Sequence, residues 1–109
     1  MYTKLENIGY GVTTGTSYKG GIIDTTYQDL VDAFGEPTFP EPSGDDKVQK
    51  EWVFKDSQGN IFTIYDWKTY DVHTTMTRLE VWHIGGKRFA GDFIDWVESQ
   101  VHSKLNISI

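Results

Sequence analysis

The sequence predicts a two-layer α+β fold with the element order β-α-β-β-β-α, in which two helices pack on one face of an antiparallel meander sheet. Two amphipathic helical segments, at 26–34 and 88–105, and a strand-turn-strand pattern over 47–68 predict this fold. With 109 residues, of which 38% are hydrophobic, the chain can build one core but not two. We therefore expect a single domain over 1–109.

The first 20 residues are rich in glycine and threonine, and we expect an irregular arm there, followed by a strand at 21–24. The next segment has helix signals at both ends. Thr25 and Gln28 have the spacing of a capping box, Thr26 is the alternative N-cap, and Gly35 and Pro37 end the helix. Apolar residues recur between these ends at helical spacing: Tyr27, Leu30, Val31 and Phe34.

A β-hairpin is predicted over 47–56 and 61–68. Asp56 and Gly59 occupy the first and fourth positions of a type I turn, which is typical of a hairpin loop that ends in a bulge. Counting back from this turn predicts three cross-strand pairs: Phe54 with Phe62, Trp52 with Ile64, and Lys50 with Asp66. This register places large apolar residues on one face and opposite charges in one pair.

The C-terminal part of the chain is predicted to complete the sheet and add the second helix. A strand over 78–84 is expected to end at Gly85 and Gly86. The helix over 88–105 has an apolar stripe that would face the core: Phe89, Phe93, Trp96, Val97, Val101 and Leu105.

Negative charge is concentrated in one segment of the chain. The net charge is −6, and residues 24–46 hold seven acidic side chains, Asp45 and Asp46 among them, without a lysine or arginine. This acidic segment is either a solvated surface or a docking surface for a basic partner. Because the chain has no basic stripe, we expect no direct binding of nucleic acid.

The sequence contains no recognisable catalytic or metal-binding motif. Because cysteine is absent, disulfides, thiolate zinc sites and cysteine nucleophiles are excluded. The glycine-rich segments at 9–14 and 15–20 lack the other residues of nucleotide-binding loops, and the spacing of His73, His83 and His102 matches no zinc site. We therefore predict no catalytic residue, cofactor or metal. Since no apolar leader or membrane span is present, we expect a cytoplasmic protein.

The predicted sheet has a second face that is unusually apolar. If Trp52 and Phe54 face the core, strand alternation turns a different set of side chains to the opposite side. We assign that set and two acidic-loop residues to an interaction surface: Val53, Tyr65, Trp67, Val81, His83, Asp45 and Asp46. Either a helix or the N-terminal arm covers this face, or a protein partner or a second copy of the chain binds it.

Four stretches of the sequence form a recognisable combination: Asp24–Thr38, Glu51–Phe54, Phe62–Lys68 and the closing block Trp82-His83-Ile84-Gly85-Gly86. Together they resemble a group of small phage-type proteins. The resemblance implies a phage or prophage accessory protein that works in the bacterial cytoplasm. It implies no catalytic residue, because the group has no established biochemical activity.

Two classes of function follow from these observations. The first is a non-enzymatic protein that modulates a host or phage macromolecule by binding it. The alternative is a small enzyme or small-ligand-binding module centred on Trp82, His83 and Asp66. A concave pocket lined by a His83 with a shifted pKa would favour the alternative, whereas a flat apolar face or a two-fold interface would favour the first class.

Overall fold

The computed structural model describes residues 2–44, 47–68 and 70–107. Within this part of the chain, the strands are β1 (Thr3–Lys4), β2 (Ser17–Ile22), β3 (Glu51–Lys55), β4 (Ile61–Tyr65) and β5 (Trp82–Gly86). The helices are α1 (Tyr27–Phe34), α2 (Val72–Thr77) and α3 (Gly91–Ile107), with a short 3-10 helix at Tyr10–Thr13. The strands form one antiparallel sheet in the order β1-β3-β4-β5-β2, which confirms the predicted α+β class.

The N-terminal arm is more regular than predicted, because both of its ends join the sheet. β1 pairs with β3, and β2 starts at Ser17 and pairs with β5 along its length. A register shift between Tyr18 and Gly20 interrupts the second pairing. Backbone hydrogen bonds hold these edge strands, so they form without the alternating apolar pattern on which the prediction depended.

Helix α1 lies where its apolar stripe predicts, but its capping box uses different residues. The Thr26 N–H donates to Asp29 Oδ2 (2.9 Å), and the Asp29 N–H donates back to Thr26 Oγ1 (3.1 Å). Thr25 is buried one residue earlier, where its N–H donates to the Glu80 carbonyl (3.1 Å). Thr26 is therefore the N-cap, and the Thr25–Gln28 box is wrong by one position.

The hairpin register is confirmed at its two apolar pairs, Trp52 with Ile64 and Phe54 with Phe62. The turn is also as predicted, since the Gly59 N–H donates to the Asp56 carbonyl (3.1 Å). Gly59 has φ +83°, a conformation that favours glycine.

The third predicted pair of the hairpin, Lys50 with Asp66, lies beyond the paired strands. The β3–β4 ladder ends at Glu51 and Tyr65. The Lys50 N–H instead donates to Asp66 Oδ1 (2.9 Å). The expected charge pair is thus a contact between a backbone amide and a carboxylate.

Helix α2 was not predicted, and it lies immediately before the strand that was expected at 78–84. Its sequence, Val-His-Thr-Thr-Met-Thr, has many β-branched residues and no apolar stripe. Asp71 caps it by accepting a hydrogen bond from the His73 N–H (3.1 Å). β5 starts only at Trp82, and Gly85 and Gly86 belong to the strand rather than ending it.

The core lies between one face of the sheet and helices α1 and α3. Its largest side chains come from both layers: Trp52, Phe54, Phe62, Trp82, Leu30 and Phe93. Phe89 was predicted to join this core, but α3 begins only at Gly91, and Phe89 is 83% exposed. The side chain of Leu105 lies outside the described part of the structure. No described helix is both long and apolar enough to cross a membrane.

Candidate functional site

The outer face of the sheet, opposite α1 and α3, is built from two cross-strand rows of residues. One row runs Glu51, Tyr65, His83 and Gly21 across β3, β4, β5 and β2. A second row lies beside the first and consists of Val53, Thr63, Gly85 and Tyr18, on the same four strands. Side chains that face each other across antiparallel strands point to the same side, so these rows form one continuous surface.

The N-terminal arm lies against part of this outer face. The 3-10 helix at Tyr10–Thr13 packs near β4, and the Leu5 N–H donates to the Val53 carbonyl (2.8 Å). Val53 is 0% exposed, so its assignment to the interaction surface is wrong. The remaining part of the outer face, toward β5 and β2, is open.

The open part of the outer face contains a pocket of about 430 Å³, which is within the size range of ligand sites. Four rings line it: Tyr18, Tyr65, Trp67 and His83. The His83 imidazole lies among the other three, with centroid distances of 4.8 Å to Tyr18, 5.6 Å to Tyr65 and 6.3 Å to Trp67. Thr16, Ser17, Val48, Glu51 and Thr63 complete the lining.

Trp67 is held at the rim by the turn that follows β4. The Lys68 N–H donates to the Lys47 carbonyl (2.6 Å), and Lys68 has the left-handed φ of +56°. Trp67 is 43% exposed, and its ring packs edge-on against Tyr65 with centroids 6.1 Å apart. The turn therefore presents one face of the indole to the pocket region and leaves much of the ring accessible.

Gly85 provides space within the second row. A Cβ atom at this position would lie 2.7 Å from Thr63 Oγ1 and 3.2 Å from Tyr65 Cε1. Both neighbours line the pocket, so a side chain at Gly85 would displace them or occupy the space between them. The absence of a side chain here helps to keep the pocket open.

Glu51 is the acidic residue of the pocket. Burial and, to a smaller extent, the negative charge of Asp66 raise the pKa of its carboxyl to about 7, although the nearby Thr63 hydroxyl partly opposes the shift. No described lysine or arginine forms a salt bridge with this carboxyl. The pocket thus contains an acid that is close to half ionised at neutral pH and has no cationic partner among the residues that the structure describes.

Thr63 is the second polar group of the pocket. The residue is 1% exposed, and its Oγ1 forms no hydrogen bond with any described residue. It lies diagonally across the ladder from Glu51, close enough to affect the pKa of that carboxyl but outside hydrogen-bonding geometry. A buried hydroxyl without a partner is costly, which makes Thr63 a natural place for a ligand to bond.

His83 is half-buried, and burial lowers the pKa of its imidazole, although the Asp66 carboxylate acts in the opposite direction. The ring is therefore predominantly neutral at pH 7. It contributes an aromatic surface and two ring nitrogens to the pocket rather than a positive charge.

Asp66 does not line the pocket, and its hydrogen bonds stabilise the fold. Its Oδ1 accepts hydrogen bonds from the N–H groups of Gln49 (2.7 Å) and Lys50 (2.9 Å), and its Oδ2 accepts one from the Thr75 hydroxyl (3.1 Å). These bonds fasten the segment before β3 and helix α2 to the end of β4. Asp66 acts on the pocket only through its charge.

Trp82 lies on the opposite side of the sheet from the pocket, because consecutive strand residues point to opposite faces. It is fully buried in the core, and its Nε1–H donates to the Thr25 carbonyl (2.8 Å). The alternative site centred on Trp82, His83 and Asp66 is therefore not assembled, since only His83 lines the pocket.

The predicted interaction surface is brought together only in part. Tyr65, Trp67 and His83 line one pocket, whereas Val81 is exposed but does not line it. Asp45 and Asp46 lie outside the described residues.

Sequence reasoning missed Tyr18, Glu51 and Thr63, which belong to the same surface as the residues it found. The predicted hairpin register would have been sufficient to place two of them on this surface. Glu51 and Thr63 share the outward phase of their strands with Val53 and Tyr65. Tyr18 had no such signal, because its strand was placed too late in the chain.

Among the described residues, no cluster of three or more histidine, aspartate and glutamate side chains could hold a metal ion. The chain matches no family model, no curated protein and no solved structure.

Proposed function

We propose that this protein acts by binding a protein partner, and that the pocket on the outer face receives a side chain that projects from that partner. The pocket lined by His83 is the feature expected of a ligand-binding module, and we assign the ligand to the partner: it is a side chain that the partner carries. The observation that carries this assignment is the aromatic rim, where Tyr18 is 60% exposed and Trp67 is 43% exposed. Large, rigid aromatic side chains bury much area at little cost in conformational entropy and often anchor interfaces.

The expected partner is a host or phage macromolecule in the bacterial cytoplasm, because the sequence resembles small phage-type proteins. The acidic segment at 24–46 supports a partner of opposite charge. Its negative charge would speed association and would act less strongly as salt concentration rises.

Affinity capture with rim variants tests this proposal. The immobilised full chain, Trp67→Ala and Phe89→Ala are exposed to the same bacterial lysates, and bound proteins are quantified by mass spectrometry. Phe89→Ala is the matched control, because Phe89 is an exposed aromatic outside this pocket. We expect a partner that the wild type and Phe89→Ala retain equally and that Trp67→Ala loses.

Kinetics with the purified partner provide a second check on the same surface. Tyr65→Ala and Trp67→Ala should mainly speed dissociation, since loss of an anchor changes the lifetime of a complex more than its encounter rate. A partner that binds Trp67→Ala and the wild type with the same affinity would overturn the proposal.

Acid–base catalysis is the second candidate function, and one observation favours it. Glu51, with its pKa of about 7, lines the same pocket as His83, and a group that titrates near neutral pH can both accept and donate a proton. This function requires turnover of a small substrate by purified protein, with loss of turnover in both Glu51→Gln and His83→Ala. Turnover that survives both substitutions would eliminate it.

A further inference from the structure

The pocket contains a carboxyl, a hydroxyl and several aromatic rings, all of which can bind a cation. No described lysine or arginine forms a salt bridge with the Glu51 carboxyl or a hydrogen bond with the Thr63 hydroxyl. We infer that the pocket binds an organic cation, namely the guanidinium or ammonium group of an arginine or lysine side chain carried by the partner. This inference rests on the proposed function and specifies the group that enters the pocket.

The first support is the unpaired acid. A largely buried carboxylate normally has a cationic partner, but Glu51 forms no salt bridge with a described lysine or arginine. A guanidinium or ammonium group would supply the missing charge and would favour the ionised carboxyl. A neutral apolar ligand would leave this carboxyl as it is.

The second support is the Thr63 hydroxyl. It is nearly inaccessible to solvent, lines the pocket and has no described hydrogen-bond partner. Guanidinium and ammonium groups carry several N–H donors and no acceptor, so one ligand group can donate to both Glu51 and Thr63. The space at Gly85 lies beside this hydroxyl.

The third support is the aromatic lining. Ring faces attract cations, most strongly the face of an indole. Trp67 already attracts the chain's own cations, since Lys68 Nζ lies 5.6 Å and Lys47 Nζ lies 6.0 Å from its centroid. Among the described residues, no lysine or arginine occupies the ring faces of Tyr18 or Tyr65, the two tyrosines of the lining.

The charges around the pocket are consistent with a cationic ligand. The groups that act on the Glu51 carboxyl are the Asp66 carboxylate and the Thr63 hydroxyl, and the Glu51 carboxyl in turn raises the pKa of the Tyr65 phenol. His83 on β5 is predominantly neutral and does not repel a cation. Lys47 and Lys68 lie at the Trp67 rim, and neither of them forms a salt bridge with Glu51.

The test uses the isotope-labelled full chain and two matched small molecules, Nα-acetyl-arginine amide and Nα-acetyl-citrulline amide. Citrulline has nearly the shape of arginine but no charge, so the pair isolates the contribution of the cation. We expect saturable NMR shifts of the Thr63 and Gly85 amides with the arginine compound and at least tenfold weaker binding of the citrulline compound. Equal binding of the two compounds would overturn the inference.

The pH dependence of binding provides the sharpest check. Because the ligand requires ionised Glu51, affinity should rise about tenfold from pH 6 to pH 8. Glu51→Gln should bind weakly at both values, Thr63→Val should also bind more weakly, and Phe89→Ala should match the wild type. An affinity that falls as pH rises would instead identify a neutral acceptor bonded to protonated Glu51 and would overturn the inference.

A basic peptide distinguishes a partner-borne side chain from a free cation. Gly-Gly-Arg-Gly-Gly should bind more tightly than Nα-acetyl-arginine amide, because its backbone can contact the aromatic rim. Equal affinities would indicate a free cation and would overturn the inference that the cation belongs to a protein partner.

Two outcomes distinguish failure of this inference from failure of the proposed function. If neither compound binds while Trp67→Ala still loses a captured partner, the cation inference fails and the proposed function stands. If capture does not depend on Trp67, the proposed function fails whatever the small molecules do.

Discussion

Thr63 and Thr75 show how one residue type can have opposite effects in the same fold. Both are fully buried, but the Thr75 hydroxyl donates to Asp66, whereas the Thr63 hydroxyl has no described partner. A buried polar group contributes to stability only when its hydrogen bond is made. The unmade bond at Thr63 therefore marks a residue that serves binding at some cost to the fold.

Replacement of each threonine by valine, which has nearly the same shape, tests this contrast. Thr63→Val should leave stability unchanged or raise it by about 1 kcal/mol, because it removes an unsatisfied hydroxyl. Thr75→Val should lower stability by about 1–3 kcal/mol, because Asp66 loses a partner while remaining buried. Urea denaturation of the two variants measures both effects. Equal destabilisation by the two changes would contradict the unpaired state of Thr63.

Glu51 should make the stability of the fold depend on pH. Its pKa is about 7 in the folded protein and 4.5 as the ordinary value, so the folded state holds its proton more tightly. Stability from this residue is therefore greatest below pH 4.5, falls as pH rises toward 7 and stays low above it, with a total change of about 3 kcal/mol.

The Glu51→Gln variant isolates that effect. The difference in unfolding free energy between Glu51→Gln and the wild type should grow in favour of the variant from pH 5 to pH 8. His83 acts oppositely, because its lowered pKa reduces stability at acidic pH, but it is present in both proteins. Parallel stability profiles for the two proteins would show that Glu51 titrates normally.

At the scale of a single element, helix α1 is defined by its ends as well as its apolar stripe. At its start, Thr26 and Asp29 form two reciprocal hydrogen bonds, in which the side chain of each residue accepts from the backbone N–H of the other. At its end, the Gly35 N–H donates to the Val31 carbonyl (2.7 Å), and Gly35 has φ +83°. Both end signals act over four residues or fewer, which is why the helix could be predicted from sequence.

The N-cap can be tested with a conservative pair of variants. Thr26→Ala should destabilise the protein by about 1 kcal/mol, while Thr26→Ser should retain most of the stability because serine also accepts the Asp29 N–H. Thermal denaturation followed by circular dichroism measures both. If Thr26→Ser loses as much as Thr26→Ala, the methyl group rather than the cap is responsible.

At the scale of the whole molecule, the core depends on aromatic packing between the sheet and the two long helices. Trp52 lies at its centre, with its ring 5.5 Å from Trp82 and 5.8 Å from Tyr27. Its Nε1–H donates to the Gly35 carbonyl (2.9 Å), which links the sheet to the end of α1. The loss of this side chain removes packing and a partly buried hydrogen bond together.

Trp52→Ala should therefore destabilise the protein by about 3–5 kcal/mol, which is a large share of the stability of a small domain. Phe89→Ala should change stability by less than about 0.5 kcal/mol, because Phe89 is exposed. Denaturant titration of both variants provides the comparison. A loss below 1 kcal/mol for Trp52→Ala would contradict its place in the core.

Elements with local signals were largely predictable, and elements held by distant partners were not. Helix α1 and the Phe54–Phe62 and Trp52–Ile64 pairs follow from spacing and turn chemistry within short segments. Helix α2 lacks an apolar stripe and is fastened through the Thr75–Asp66 bond across nine residues. Strand β2 pairs with β5, sixty or more residues away, so its start is determined by a partner that no local pattern reveals.

The sequence by itself determined the α+β class, the core side of the hairpin, and the outward phase of Tyr65, Trp67 and His83. These properties follow from periodicity and turns, which depend on neighbouring residues. The tertiary structure decided that Val53 is covered, that Tyr18 joins the pocket and that Glu51 titrates near pH 7. The burial of a side chain and its loss of contact with water depend on every chain segment that packs around it. Those segments come together only when the sheet and its N-terminal arm assemble.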